Sequence, residues 1–406
     1  MFYMLLTKLK REAIVKSDFS TFGYKFSLEN QDEYPHNEAA SVISTLIEFD
    51  VRKLTHGFLT FVDVEVDVDF IYSNFIPRIG REFHIVCTFD YAKLTNVYLL
   101  DYVEDIFTRL KSQEIGVCIY NFNPENSEIS DKVLNSTSFI MMPASSDSKI
   151  LAPYVDRGIK LICKDIASLE QMESALKDDL ISYYMGPYVE APKNIKVPRV
   201  EKPSPVITEL FIKLKTPEDL QEATDIIKRS PELTFSILKF INAAFFAIPS
   251  KVSSVESAVS LLGFQNLRKW VNLIFLSSSV SNPDKNVYVE KSVSRAFFME
   301  KVCKLMDPSK APTAYMVGIL SFMDVILGKS FEEIFEDMPV ASEVREALVE
   351  GKNLFADLLD LVKAFEFQDQ EKIEFYQSKY NLDKYRVERA YLDCLYEYDR
   401  FLDAIR

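Results

Sequence analysis

The stretch 226–271, IIKRSPELTFSILKFINAAFFAIPSKVSSVESAVSLLGFQNLRKWV, contains closely spaced signals for helix boundaries. Ser230 is a capping residue, followed by proline at the first helical position and an acid in the first turn. Ser253-Ser-Val-Glu256 has the pattern of a capping box, and the helix that it opens is expected to stop at Gly263. The stretch therefore predicts helices that meet at sharp turns, as in a helical bundle.

The same kind of signal continues on both sides of this stretch. Thr216 is a second capping residue followed by proline and acids. The segment 382–402 carries apolar and aromatic residues at helical spacing, which predicts a face that docks on other helices. These residues are Val387, Tyr391, Leu395, Tyr398 and Leu402. Residues 207–406 are therefore predicted to form one helical domain.

Residues 1–192 instead alternate strand-like and helix-like segments. The predicted strands are Phe58–Val66, Phe83–Phe89, Val117–Tyr120, Ser138–Met142 and Lys160–Cys163. Several are continuous apolar runs, as expected for strands covered on both faces. The segment 95–111 has the apolar face of a helix. This alternation predicts an α/β domain with a parallel sheet, open or closed into a barrel, and the proline-rich segment 193–206 is predicted to be a linker.

Composition limits the class of protein. A chain of 406 residues with a net charge of -14 and no cluster of basic residues is not expected to bind nucleic acid. Its five cysteines are scattered and form no CxxC pair, which is typical of a cytoplasmic protein with reduced cysteines. The N-terminal apolar stretch is too short for a signal peptide, and no later segment approaches a membrane span. We therefore expect a cytoplasmic protein without a membrane partner.

The three histidines, His36, His56 and His84, all lie in the first domain. A helical phosphohydrolase of the HD type needs histidines as metal ligands, so this chemistry is excluded for the helical domain. For all three histidines we expect structural or solvent-exposed roles, because none has a partner at ligand spacing.

The segment 62–69, VDVEVDVD, alternates apolar and acidic residues. Asp63, Glu65, Asp67 and Asp69 would share one face of a strand and could suit Mg²⁺ or Mn²⁺. The alternative is a solvated acidic face, or a strand that ends near Val64. We favour this alternative because other carboxylates do not converge from the remaining strand ends. The sequence also has no nucleophile-elbow, dinucleotide-binding or Walker motif, and we expect no cofactor.

In the helical domain, the spacing of four short motifs resembles the HDOD family. The motifs are Ser230-Pro-Glu-Leu, Ile241-Asn-Ala-Ala, Ser253-Ser-Val-Glu-Ser-Ala and Leu262-Gly. HDOD domains resemble HD phosphohydrolase bundles that have lost their metal ligands, and here Ser321 and Phe322 stand where an HD enzyme carries His-Asp. The segment 314–351 is similar to the C-terminal part of HDOD domains that are attached to an EAL domain.

This pairing extends the resemblance to the first domain, which is similar to the EAL class of cyclic di-GMP phosphodiesterases. The segment 186–192, GPYVEAP, is similar to the closing signature of that class, and 23–29, GYKFSLE, aligns with the motif that names it. The whole chain thus resembles the EAL–HDOD, YuxH-like family of bacterial signal-transduction proteins. The implied fold is an EAL-like (β/α) TIM-type barrel followed by an HDOD α-helical bundle.

At the functional positions of the EAL family, this chain carries other residues. They are Lys25, Glu29, Asp63, Cys87, Tyr120, Asn121, Met141, Lys164, Ala167 and Met185. Lys25 and Lys164 add positive charge at two positions where the family has metal-binding carboxylates. Glu29 would repel the phosphates that an arginine would bind there. The resemblance therefore implies a degenerate domain with no catalytic, cofactor or metal site, for which cyclic di-GMP binding is not expected.

The leading hypothesis is a catalytically inactive scaffold that regulates signalling by binding a partner protein of unknown identity. Hydrophobic residues could line the surface for this partner or belong to the core, namely Phe240, Phe245, Phe246 and Trp270. The resemblance suggests cyclic di-GMP-related, motility or two-component signalling. One alternative is a receptor that binds cyclic di-GMP or another nucleotide without cleaving it. A third hypothesis is an active cyclic di-GMP phosphodiesterase with an unfamiliar metal set.

Overall fold

Eight strands close into a barrel in the first half of the chain. They are β1 (Leu9–Val15), β2 (Thr21–Leu28), β3 (Leu59–Asp63), β4 (Ile85–Asp90), β5 (Gly116–Tyr120), β6 (Phe139–Pro143), β7 (Lys160–Lys164) and β8 (Ile181–Tyr184). Strands β2 to β8 run parallel to one another, whereas β1 pairs antiparallel with β2 and β8. The predicted sheet is therefore a closed barrel in which one strand runs against the others.

The computed structural model describes residues 9–28, 54–64, 84–94, 100–125, 131, 133–192, 204–242, 252–280, 286–337 and 340–405. The chain divides into two compact units, Met1–Lys193 and Asn194–Arg406. Most of the predicted linker 193–206 lies outside the described residues, and a helix begins within it, at Pro205. The predicted domain limits, 1–192 and 207–406, stay predictions.

All five predicted strands are present, although their ends differ by up to three residues. The strand predicted over Phe58–Val66 ends at Asp63, which is the only one of the four alternating acids within the described part of the chain. Glu65, Asp67 and Asp69 lie outside that part. The sequence did not predict strands β1, β2 and β8.

Large apolar side chains fill the interior of the barrel. One buried cluster consists of Ile14, Phe61, Val86, Cys118, Met141, Ile162 and Met185. Phe22 and Tyr183 pack against this cluster, and their rings stack with centroids 3.7 Å apart. Because the interior is filled, binding or chemistry in this unit is confined to the ends of the barrel.

Five described helices accompany the strands of the first unit. They are α1 (Tyr91–Leu94), α2 (Leu100–Ser112), α3 (Ala152–Val155), α4 (Leu169–Leu176) and α5 (Pro187–Glu190). Helix α2 buries the apolar face that the sequence predicts, including Val103, Ile106 and Phe107. Ser168 begins α4 by accepting the N–H of Gln171 with its side chain.

Two residues of the closing segment GPYVEAP hold the barrel together. Gly186 has a φ of 137°, and a Cβ atom there would lie 2.3 Å from the backbone nitrogen of Ile166, so only glycine fits. The buried Glu190 accepts the N–H of Ala13 with Oε1 at 2.6 Å. This bond satisfies a buried donor of β1, the antiparallel strand that completes the barrel.

Helices make up the described part of the second unit. They are α6 (Pro205–Lys213), α7 (Leu220–Arg229), α8 (Pro231–Asn242), α9 (Val255–Ser277), α10 (Val287–Met306), α11 (Ala311–Leu320), α12 (Met323–Leu327), α13 (Phe331–Asp337), α14 (Ser342–Arg345), α15 (Asn353–Phe367), α16 (Gln370–Lys379) and α17 (Lys384–Ile405). Helix α10 packs against α11, α15 and α17, and most of its side chains are buried. Val387, Leu395 and Tyr398 of the predicted docking face of α17 are buried as well.

Helix starts follow the predicted signals with one correction. Thr216 forms a capping box with Asp219, and Ser230 accepts the N–H of Leu233 at 3.2 Å. The predicted capping box at Ser253 is wrong by one residue, because the side chain of Ser254 caps α9. Ser254 is next to the predicted residue and presents the same hydroxyl, so the sequence pattern does not separate the two.

Helix α9 is broken at Gly263, as the sequence predicts. Gly263 has φ 65° and ψ 173°, which are not helical angles, and a second helical segment continues beyond it. Trp270 of this second segment is fully buried, and Phe240 of α8 is buried too. Of the two roles considered for these residues, Trp270 and Phe240 therefore have the one in the core, which the sequence favours for most of the group, and Phe245 and Phe246 lie outside the described residues.

One described stretch, Pro308–Leu327, is long and apolar enough to span a membrane by length and composition, with a hydropathy of 1.3. This corrects the expectation that no segment approaches a membrane span. Of this stretch, 67% is buried within the protein, where Ala314, Val317 and Ile319 belong to the core. A helix in the core of a globular protein likewise buries its apolar residues against its neighbours.

Candidate functional site

Polar side chains lie at the end of the barrel where the parallel strands finish. The cluster consists of Lys25, Asp63, Tyr120 and Lys164, on β2, β3, β5 and β7. Asp63, Tyr120 and Lys164 each lie two residues after a member of the buried interior cluster, so strand alternation places them on the inner face. Barrel enzymes build their sites at this end. We call these four residues the barrel-mouth cluster.

Lys25 and Asp63 form an ion pair, with 3.1 Å between Nζ and Oδ2 and only 17% of the lysine side chain exposed. Burial alone would lower the pKa of Lys25, but the Asp63 carboxylate outweighs burial and raises that pKa above its ordinary value. Lys25 therefore keeps its positive charge at neutral pH. Oδ1 of Asp63 is buried without a hydrogen-bond partner among the described residues.

The ring of Tyr120 lies near the ammonium groups of two lysines. Nζ of Lys25 is 5.5 Å from the ring centroid, and Nζ of Lys164 is 5.9 Å from it. Both distances allow a cation–π attraction. Lys164 also pairs with the more exposed Asp165, with 2.9 Å between Nζ and Oδ2. The barrel mouth thus combines two ammonium groups with an aromatic face.

Asn121 follows Tyr120 in the left-handed backbone region, with a φ of 53°. Its side-chain amide donates to Oδ1 of Asp90, the last residue of β4, at 3.1 Å. Asp90 Oδ1 also accepts the N–H of Ala92 at 3.0 Å. Asn121 therefore holds the loops after β4 and β5 together, at the exposed rim of the mouth.

The remaining predicted positions do not join the barrel-mouth cluster. Met141 and Met185 belong to the apolar interior of the barrel. Cys87 is buried, and burial raises the pKa of its thiol to about 12. Ala167 lies in the loop after β7, where its N–H donates to Oε1 of Gln171 at 2.8 Å. Glu29 lies outside the described residues.

Strand alternation also identifies a residue that the sequence analysis missed. Because Val86 is in the interior cluster, Thr88 shares its face, and Cys87 points to the other side of β4. Thr88 therefore lies on the inner face of the barrel, opposite Asp63 in the pairing of β3 with β4. A one-residue change of register moves every side chain to the opposite face, and the sequence pattern of β4, which is buried on both faces, does not fix that register.

The barrel-mouth cluster contains one carboxylate, that of Asp63, whereas the two-metal site of an EAL enzyme uses carboxylates from several strands. Among the described residues, no group of three or more His, Cys, Asp or Glu side chains is arranged to hold a metal ion. The Asp63 carboxylate is engaged by an ammonium group, which would repel a divalent cation beside it. His84 is exposed, and the ring of His56 packs edge-on against Tyr24, with centroids 6.3 Å apart.

The helical unit contains a buried ion pair beside Ser321 and Phe322. Arg295 of α10 is 2% exposed and binds Glu366 of α15 through two bonds, Nε to Oε1 at 2.9 Å and a terminal nitrogen to Oε2 at 2.7 Å. Another terminal nitrogen donates to the Ser321 hydroxyl at 3.3 Å, and the guanidinium carbon lies 4.1 Å from the centroid of the Phe322 ring. A guanidinium group therefore contacts both residues that the sequence analysis aligns with the His-Asp of HD enzymes.

Glu366 also attracts Lys291, whose Nζ is 3.6 Å from Oε2. Burial alone would raise the pKa of Glu366, but the charges of Arg295 and Lys291 outweigh burial and hold that pKa at about 2. The sequence analysis missed this network. Its signal is the row of charged residues inside α10, VYVEKSVSRAFFMEKV, where a helix buried on all sides would otherwise be apolar.

Comparison with known proteins agrees with this architecture. Residues 202–361 match the HDOD domain, so the helical unit contains an HDOD domain. The predicted fold class, a barrel followed by an HDOD helical domain, is confirmed.

Three relatives illustrate the similarity. Uncharacterized protein YuxH of Bacillus subtilis is 24% identical over 402 residues, which are 94% of this chain and 94% of the relative. Cyclic di-GMP phosphodiesterase CdgJ of Vibrio cholerae is 29% identical over 199 residues, which are 48% of this chain and 45% of the relative. The solved FimX EAL domain of Pseudomonas aeruginosa, bound to c-di-GMP, is 13% identical with a TM-score of 0.36, covering 45% of this chain and 88% of that one. The expected resemblance to EAL–HDOD, YuxH-like proteins is confirmed.

Proposed function

We propose that the chain is a cytoplasmic bacterial regulator of cyclic di-GMP-related signalling that does not hydrolyse the dinucleotide and acts by binding a partner protein. The observation that carries this proposal is the Lys25–Asp63 ion pair at the barrel mouth. Similarity to a relative named as a cyclic di-GMP phosphodiesterase supports the signalling class. Neither a nucleic acid nor a membrane is proposed as a partner.

Electrostatics supports the absence of hydrolysis. EAL phosphodiesterases activate water with divalent ions held by carboxylates, and here a charged lysine is bound to the one carboxylate of the barrel-mouth cluster. At an effective dielectric constant of about 20, a divalent ion about 4 Å from an ammonium group is repelled by about 8 kcal/mol. Lys164 adds a second positive charge at the same end of the barrel.

The helical unit supports a binding role. The guanidinium of Arg295 hydrogen-bonds Ser321 and stacks on Phe322, so these positions stabilise the fold instead of holding a metal. The exposed large apolar side chains of the same unit include Phe235 of α8 at 69% and Leu261 of α9 at 58%. Because α8 and α9 pack against each other, these side chains offer a contact for an apolar surface of another protein.

A second candidate function is a receptor that binds cyclic di-GMP without cleaving it. The observation that favours it is the position of the Tyr120 ring within 6 Å of two ammonium groups. Guanine bases stack on aromatic rings, and phosphates attract lysines. The Tyr120 ring could therefore contact a base of the dinucleotide, and the two lysines could contact its phosphates.

Hydrolysis and binding are tested on the full chain with cyclic di-GMP. We expect no linear dinucleotide product with either Mg²⁺ or Mn²⁺, measured beside an active EAL enzyme as a positive control. Turnover that disappears in Asp63→Ala would overturn the proposal and establish a phosphodiesterase. Calorimetric titration decides between the other two functions, because binding that is lost in Tyr120→Leu establishes the receptor and the absence of heat supports the scaffold.

The protein-binding role is tested by affinity capture from bacterial cells followed by mass spectrometry. We expect a specific partner that is lost with Phe235→Ser and with Leu261→Ser. Phe375→Ser is the matched control, because Phe375 is 58% exposed on α16, a different helix. A partner set that is unchanged in both variants would contradict the proposed surface.

A further inference from the structure

The helical unit contains a pocket of about 450 Å³ that the proposed function does not use. Its walls come from three places: the second segment of α9, the end of α10, and the start of α11 with the turn before it. Small-molecule sites in proteins have volumes of this size. The pocket is therefore large enough for a ligand about as large as a mononucleotide.

Charge is unevenly distributed in this pocket. Arg268, Lys269 and Lys304 line it together with a single carboxylate, that of Glu300. The whole chain has a net charge of -14, so three cations around one acid are unusual for this protein. The pocket therefore has a local positive potential, which concentrates anions.

The carboxylate of Glu300 does not neutralise the positive charge of the pocket, because two lysines bind this one carboxylate. Nζ of Lys269 lies 2.8 and 2.7 Å from the two carboxylate oxygens, and Nζ of Lys304 lies 2.7 Å from one of them. The carboxylate thus fixes both ammonium groups at the wall of the pocket. Two ammonium groups paired with one carboxylate leave these three side chains with a net positive charge.

Arg268 has no ion pair or hydrogen bond with the described residues, although it is partly buried. Burial lowers the pKa of its guanidinium below the ordinary value, which reflects the cost of an uncompensated charge away from water. An anion in the pocket would remove this cost, and a guanidinium binds phosphate through two parallel hydrogen bonds.

A second polar group is also without a partner. Tyr315 lines the pocket and is 2% exposed, and its hydroxyl has no hydrogen-bond partner among the described residues. Nζ of Lys269 lies 5.1 Å from the centroid of its ring. Because the hydroxyl oxygen itself is closed off from solvent, Tyr315 contributes its aromatic ring to the wall of the pocket.

We propose that this pocket binds a small phosphorylated molecule, with the phosphate held by Arg268, Lys269 and Lys304. Pro308, Ala311 and Pro312 supply apolar walls for the organic part of the ligand. This site lies within the HDOD domain and is independent of the barrel mouth.

The test uses the full chain, with AMP and inorganic phosphate as charged probes and adenosine as the uncharged control. Trp270 is the only tryptophan and lies next to Lys269 in the sequence, so its fluorescence reports on this helix, and calorimetry measures binding independently. We expect saturable binding of AMP, none of adenosine, and an affinity that falls as ionic strength rises.

Arg268→Gln keeps a polar side chain without the charge, and we expect it to weaken AMP binding at least tenfold. Lys304→Gln, on the more exposed side of the pocket, is the second variant if Arg268→Gln does not fold. Lys228→Gln on α7 is the control and should bind as the unmodified chain does. The proposal is overturned if neither probe binds up to about 5 mM, or if both pocket variants bind AMP normally.

Discussion

Removing the charge of Glu366 should strongly destabilise the helical unit. Glu366→Gln leaves Arg295 and Lys291 buried without their anion, and breaking a buried ion pair in this way costs about 3–5 kcal/mol. The pKa of Glu366 gives a free energy of similar size. A carboxyl group with a pKa of about 2 instead of the ordinary 4.5 corresponds to roughly 3 kcal/mol. Urea unfolding followed by Trp270 fluorescence measures this change, because Trp270 is buried in the same unit.

The double variant Arg295→Met/Glu366→Leu should recover much of that loss, because it removes the buried guanidinium together with its carboxylate and puts apolar side chains in their place. Lys228→Gln is the control. It breaks an exposed pair with Glu256 and should leave the unfolding midpoint unchanged. If Glu366→Gln costs less than about 1 kcal/mol, or if the double variant is less stable than the single one, the ion pair does not have the role argued here.

The same carboxylate predicts a pH dependence. Its pKa is lower in the folded protein than in the unfolded chain, so its contribution is fully present above the unfolded value of about 4.5 and is lost as the pH falls towards 2. We therefore expect the unfolding free energy of the helical unit to decrease between about pH 5 and pH 2 in the unmodified chain. The decrease should be smaller in Glu366→Gln, which has no carboxylate to protonate.

Three further outcomes follow from the barrel and the cysteines. Gly186→Ala should destabilise the barrel unit by about 2 kcal/mol or more in thermal unfolding, because its Cβ would lie 2.3 Å from Ile166, whereas Gly158→Ala meets no atom and should cost less. Glu190→Ala should cost about 1–3 kcal/mol, since the N–H of Ala13 loses its acceptor, and equal stability of the variant would refute this role. All five cysteines are buried, so a thiol reagent should react quickly only after denaturant is added; rapid reaction of the native chain would contradict the structure.

The sequence predicted β3 to β7, most of which are apolar runs, and missed β1, β2 and β8. Strands β4 to β7 are short β-branched or apolar runs, and such runs indicate strands covered on both faces. Strand β1, LKREAIV, has three charged residues in succession, and its pairing with β2 and β8 depends on distant parts of the chain. Local patterns do not contain this information, because closure of a barrel is a property of the whole sheet.

The sequence predicted individual residues of the candidate site but not the contacts among them. The sequence identified Lys25 and Lys164 as separate departures from a family pattern, whereas the structure brings both to the ring of Tyr120. It gave no indication that Lys25 pairs with Asp63, because the two residues are far apart in the chain and meet only through the parallel pairing of β2 and β3. Contacts of this kind follow from sheet register, which sequence patterns specify weakly in strands buried on both faces.

The two units have one electrostatic feature in common. In each, a basic side chain is bound to a carboxylate that is largely withdrawn from water: Lys25 with Asp63, and Arg295 with Glu366 next to Ser321. Such a carboxylate needs a positive charge, and here a side chain supplies it. The covalently attached cation cannot dissociate, so each fold gains its compensating charge without depending on metal. Under the proposed function, the same pairing withholds the Asp63 carboxylate from a metal ion, so stability and the proposed absence of hydrolysis would have one physical cause.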